Sequence, residues 1–223
     1  MNGRRFSRRL LGFVSAVCGL CAVLGCASEE SIKRAQGHYE EGLADLDKDR
    51  QKSFVSFQQA VKENPKHRDA HYSIAHIYAE QGKLPLAEQE LREVLRIDPD
   101  FPEAYNYLGD VLAGQDRWQE AIRAYRKALG NRLYTTPDVA WFNLGLALVH
   151  EGEMEGATQA FEDALLVSPP NVPRARVLLE LGRAYYRLSF DHKAREALKR
   201  VTVLDKGGPY AGEADKLLER LRP

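Results

Sequence analysis

Residues 105–129, YNYLGDVLAGQDRWQEAIRAYRKAL, decide the fold. Gly109 is followed by Ala121 after twelve residues, by Tyr125 after four more, and by Ala128 after another three. The same order of small and large residues returns from Gly145 (Ala157, Phe161, Ala164), from Gly182 (Ala194, Leu198, Val201) and from Ala75 (Ala87, Leu91, Val94). A large apolar residue directly precedes each small starter: Ile74, Leu108, Leu144 and Leu181. Such spacing describes two antiparallel helices, in which small residues let the backbones approach and large ones at helical offsets fill the remaining space. Pro99 and Pro169 cannot continue a helix and close their units. Loop signals fall between the two helices of each unit, as EQGK, GQDR and EGEM.

Upstream, Ser53, Phe57, Ala60 and Pro65 match a second helix, while Gly42 stands one residue out of register. From Ser53 the steps to Ala87, Ala121, Ala157 and Ala194 are 34, 34, 36 and 37 residues. The longer steps place extra residues in the connections GNRLYTTP and SPPNVPR. After the fifth unit KGGPY breaks the chain, and AGEADKLLERL reads as a capping helix. The expectation is an all-α chain, with about five helix–turn–helix repeats and a C-terminal cap over residues 34–223. Each unit would bury its apolar face only by stacking on its neighbours.

This pattern resembles the tetratricopeptide repeat family over about residues 34–221. The resemblance implies a right-handed superhelix of helix pairs with a concave groove, used as a protein-binding scaffold and not as an enzyme.

The N-terminus reads as an address. The basic MNGRRFSRR is followed by the apolar LLGFVSAVCGLCAVLG, then Cys26 and the polar ASEES. A charged region, an apolar region and a small-residue cleavage site make an export signal. VLGC at 23–26 resembles a lipobox, which implies a signal peptide over 1–25, a lipid-carrying Cys26, a linker over 26–33 and an outer-membrane location. An uncleaved N-terminal anchor is the alternative, and SRRLLGF leaves the twin-arginine route open beside the general one. Cys18, Cys21 and Cys26 are the only cysteines, so the rest of the chain has no disulfide and no thiol chemistry. Of 32 basic residues, four are Arg4, Arg5, Arg8 and Arg9; without them 28 basic residues face 32 acidic ones, a net charge of −4. A mildly acidic body lacks the basic face that nucleic-acid binding requires.

One stretch is more particular. YNYLGDVLAGQDRWQEAIRAYRKAL through GNRLYTTPDVAWFNLGLAL, and LGRAYYRLSFDHKAREAL at 181–198, are similar to the lipoprotein pilotins of the type IV pilus secretin. That resemblance implies an outer-membrane lipoprotein that binds secretin subunits and promotes their assembly. The alternative within the same class is a general periplasmic scaffold that recruits cell-envelope proteins.

In a repeat of this kind the first helix lines the groove, at positions three before and one after the small starter. Those positions hold Tyr72 and His76, Asn106 and Asp110, Phe142 and Leu146, and Leu179 and Arg183. One turn earlier stand Asp69, Glu103, Val139 and Arg176. Val139, Phe142 and Leu146 would form an apolar stripe on a wet surface, a feature that marks interaction sites. The competing reading buries that stripe against the 130–137 connection, with Tyr134 packed there. His67, His71 and His76 do not make a metal site, because His71 fills a slot that Tyr105, Trp141 and Leu178 fill elsewhere. No phosphate loop, nucleophile elbow or zinc-binding helix motif is present, and no cofactor is expected.

Overall fold

The computed structural model describes residues 28–221. The expected signal peptide and Cys26 lie outside the described residues. Eleven helices and no strand occur among those described. They fall into two units divided between Ala70 and His71.

The first unit is a helix pair, α1 (Glu29–Asp45) and α2 (Arg50–Glu63). Helix α1 begins inside the stretch expected as a linker. Ser28 caps it, its hydroxyl accepting from Ser31 N–H at 3.1 Å, and Glu29 and Glu30 place negative charge at the N-terminal end of the dipole. Asp49 caps α2 in the same way through Lys52 N–H at 3.0 Å. Gly42 is buried against the Phe57 ring, where an added Cβ would fall 2.5 Å from a ring carbon. The sequence offset of Gly42 is therefore not a defect: the contact is the one that Gly109 makes with Tyr125, Gly145 with Phe161 and Gly182 with Leu198. The hydroxyl of Ser53 also donates to Gly42 O at 2.7 Å and holds the two backbones together.

The second unit continues α3 (Arg68–Glu80) and adds α4 (Leu84–Ile97), α5 (Pro102–Ala113), α6 (Trp118–Leu129), α7 (Pro137–Glu151), α8 (Met154–Leu166), α9 (Arg174–Arg187), α10 (Asp191–Leu204) and α11 (Pro209–Arg220). Prolines stand in the first turn of α4, α5, α7 and α11, where the missing N–H costs no hydrogen bond. Consecutive helices pack in order, α5 on α6, α6 on α7, α7 on α8 and onward to α11. The core runs through the stack, from Ala75, Ala87 and Leu91 past Tyr125, Phe161 and Leu178 to Leu198 and Ala214.

The turn within each of the four helix pairs from α3 to α10 uses a left-handed residue: Gly82 (φ 71°), Asp116 (φ 59°), Gly152 (φ 81°) and Ser189 (φ 59°). Their spacing repeats the steps of 34, 36 and 37. In GQDR the left-handed position is therefore Asp116 and not the glycine.

Both long connections are fastened. Tyr134 packs with Ala128 and Ala140, beside Tyr105 and Leu129, and Asn131 Nδ2 donates to Asp100 O at 2.8 Å. Asp138, 1% exposed, accepts from Asn171 N–H at 2.5 Å, Val172 N–H at 2.8 Å and Asn171 Nδ2 at 2.9 Å. Burial alone would raise its carboxyl, but these donors outweigh it and hold the group below the usual carboxylate range. No helix among the described residues is long and apolar enough to cross a membrane.

Candidate partner-binding face

Helices α3, α5, α7 and α9 carry the residues expected to line the groove, and the four stretches differ sharply in chemistry. On α3, Tyr72 meets His76 edge-on with ring centroids 4.7 Å apart and lies 5.3 Å from Phe101. His76 stacks on Tyr107 of α5 at 4.0 Å and 14°. Burial lowers the His76 imidazole, with Glu80 pulling the other way. It raises the Tyr72 hydroxyl and pushes the Tyr107 hydroxyl up to about 12.

On α5, Asn106 is half-buried and its Oδ1 has no hydrogen-bond partner. Asp110 is open to solvent yet set deep among α5, α6 and α7. Its Oδ1 accepts from the Tyr125 hydroxyl at 2.8 Å and from Asn143 Nδ2 at 2.9 Å. The surrounding protein pushes this carboxyl up to about 6, against the pull of the Tyr125 bond. Asp110, Tyr125 and Asn143 line a cavity of about 560 Å³ with Trp118, Leu146, Val149, His150 and Arg187. The Trp118 indole stacks on His150 at 3.9 Å and 20°, and its Nε1 is buried without a partner.

The apolar stripe on α7 is corrected by the structure. Phe142 is only 3% exposed. Its ring meets Phe161 at 5.8 Å and is covered by the Arg176 guanidinium at 4.7 Å. Tyr134 takes no part in this cover, because the 130–137 connection folds onto Ala128 and Ala140. Leu179, on α9, is likewise buried at 2%. Val139 and Leu146 are half-buried and pack against the core. Arg183 remains half-open, paired with Glu180 at 2.6 Å and with Glu213 of α11.

Groove offsets of three before and one after the starter therefore find Asp110 and His76 but miss what these residues touch. Tyr107 and Asn143 stand two before their starters, and each reaches the residue one after the starter of the preceding repeat. That offset is readable in the sequence once neighbouring repeats are aligned. The Trp118–His150 stack joins the positions that Leu84 and Gly114 hold one repeat earlier, where a leucine meets a glycine, so the positions are repeated but the aromatic pair is not. Among the described residues no group of three or more His, Cys, Asp or Glu side chains gathers as a metal site would require. His71 is buried, with Nδ1 2.6 Å from Glu90 Oε2.

Comparison with known proteins agrees with this geometry. Residues 75–116 match the TPR repeat family, and residues 108–175 match the tetratricopeptide repeat family. The fold is that of a tetratricopeptide-repeat protein. Curated proteins similar in sequence include the following two. The general transcriptional corepressor ssn6 of Schizosaccharomyces pombe is 30% identical over 127 residues, which is 57% of this chain but 12% of that protein. The type IV pilus assembly protein PilF of Pseudomonas aeruginosa is 26% identical over 188 residues, 81% of this chain and 73% of PilF. The solved PilF structure superposes with a TM-score of 0.67 at 22% identity, covering 87% of this chain and 95% of that one. MamA protein superposes with a TM-score of 0.70 at 22% identity, covering 78% and 93%. At these identities the structural likeness speaks for the fold alone. The chain spans about one-eighth of ssn6, so that match bears on the repeats and not on the whole protein. Residues 75–175 thus carry tetratricopeptide-type repeats, and the chain is related in sequence to a type IV pilus assembly protein.

Proposed function

We propose that the chain is a lipid-anchored scaffold that assists assembly of the outer-membrane secretin in type IV pilus biogenesis. The carrying observation is the extent of similarity to PilF, which takes in most of both chains, unlike the partial match to ssn6. The lipobox-like VLGC at 23–26 supports a lipid anchor at Cys26. The lipid would direct the scaffold, with any secretin subunit it holds, to the membrane surface. The concave face supplies the binding surface. Its open polar part around Asp110 would make contact, while Phe142 and Leu179 keep the helices in place beneath.

Deleting the gene in its own host and blotting unboiled membrane fractions for the secretin tests this reading. Loss of multimers with monomer still present is the expected result. Normal multimers and normal pili would remove the pilus function and favour a general periplasmic scaffold.

A further inference from the structure

The cavity between α5, α6, α7 and α9 contains a carboxylate, Asp110, that is in no ion pair among the described residues. Asp110 takes two hydrogen bonds, from Tyr125 and Asn143, and both end on Oδ1. Oδ2 accepts none, and among the described residues no Lys or Arg pairs with it. Arg183, which holds the position of Asp110 two repeats later, is paired with Glu180 and Glu213. Arg187 also lines the cavity but makes no ion pair with Asp110. The remaining walls are flat or aliphatic: Trp118 with His150 stacked upon it, and Leu146 with Val149. The Asp110 side chain is exposed beside these walls, and its carboxyl is nonetheless raised.

We infer that this cavity receives an arginine side chain of a partner polypeptide, its guanidinium paired with Asp110 Oδ2 and its plane lying along the Trp118–His150 wall. The unbonded Oδ2 of Asp110 on α5 selects a cation at that part of the cavity, while Arg187 stands on α9. Among protein cations the guanidinium is the planar and weakly hydrated one, and it loses less on entering a cavity with aliphatic and aromatic walls than an ammonium does. It also offers several donors in one plane, so one carboxylate oxygen and a neighbouring acceptor are served together. The inference rests on the concave face being the partner-binding surface. It does not depend on the partner being a secretin.

The chain contains two tryptophans, which gives the test an internal control. The full chain, kept in detergent micelles and labelled with ¹⁵N at the indoles, is titrated with acetyl-Ala-Ala-Arg-Ala-Ala-amide. Companion titrations use the citrulline and lysine versions of the peptide and arginine amide alone. The expected result is a saturable shift of the Trp118 indole signal with the Trp141 signal unmoved. Affinity falls at least tenfold with citrulline, falls less with lysine, and is lost in Asp110→Asn. Equal affinity for the citrulline peptide, an unaffected Asp110→Asn variant, or no shift at all would overturn the assignment. Equal binding of arginine amide would overturn the choice of a polypeptide. A secretin deletion phenotype that fails while this binding persists removes the pilus role and leaves the pocket standing.

Discussion

The third and fourth repeats, α5–α6 and α7–α8, share one lattice and use it in opposite ways. In both, a glycine faces an aromatic ring, Gly109 against Tyr125 and Gly145 against Phe161. Three residues before that glycine stand Asn106 in one repeat and Phe142 in the other, and one residue after it stand Asp110 and Leu146. The difference continues into the paired ring. Tyr125 carries a hydroxyl that reaches Asp110, while Phe161 meets the Phe142 ring. The polar repeat thus leaves a carboxylate open, and the apolar repeat closes over itself under Arg176. Periodicity fixes where a side chain stands. What covers it is decided by the chemistry of the next repeat.

The sharpest way to break this comparison is to exchange the two characters. Phe142→Asp removes a buried ring and puts a carboxylate in its place with only Arg176 beside it, and should cost about 3 kcal/mol or more. Chemical denaturation would show it as a lost or strongly shifted transition. Leu146→Asp, on a half-buried residue of the same helix, should cost about half as much or less. Equal costs would mean that Phe142 is not covered as described.

Asp138→Ala removes the acceptor of three donors and should cost about 1–3 kcal/mol, with faster amide exchange at Asn171 and Val172. Because this carboxyl is held below its usual range, its stabilisation is present above the unfolded-state value and is lost as pH falls through the folded one. The wild type should therefore be more acid-sensitive than Asp138→Ala. Asp110 has the opposite sign. Its carboxyl is raised to about 6, so its contribution is fully present below the unfolded value and lost as pH rises through about 6. Asp110→Asn should flatten that part of the stability–pH curve and leave the acid end unchanged. The smallest effect belongs to the turns. Ser189→Gly relieves a left-handed backbone at φ 59° and should change stability by less than about 1 kcal/mol, upward if the strain exceeds the entropy cost of glycine.

Much of the fold was legible because its signal is repeated. Starter, alanine and large residue recur at 34 to 37 residues, and the structure sets each starter glycine against its large residue. Gly42 looked displaced because counting residues measures chain length and not distance; its ring contact with Phe57 is intact. The candidate site was half legible. Asp110, His76 and Asn106 fell at groove positions, but the covering of Phe142 by Arg176 joins residues 34 apart and leaves no local pattern. The Trp118–His150 wall stands at positions that Leu84 and Gly114 share one repeat earlier, but the side chains there carry no stack to compare it with.

The most direct test of the account returns Asp110→Asn to a strain lacking the gene and measures secretin multimers on an unboiled gel. Leu86→Ala, at an exposed residue of α4, serves as the control. The account predicts that the wild type and Leu86→Ala restore multimers, while Asp110→Asn does not, although it accumulates and unfolds cooperatively. Full restoration by Asp110→Asn would contradict it.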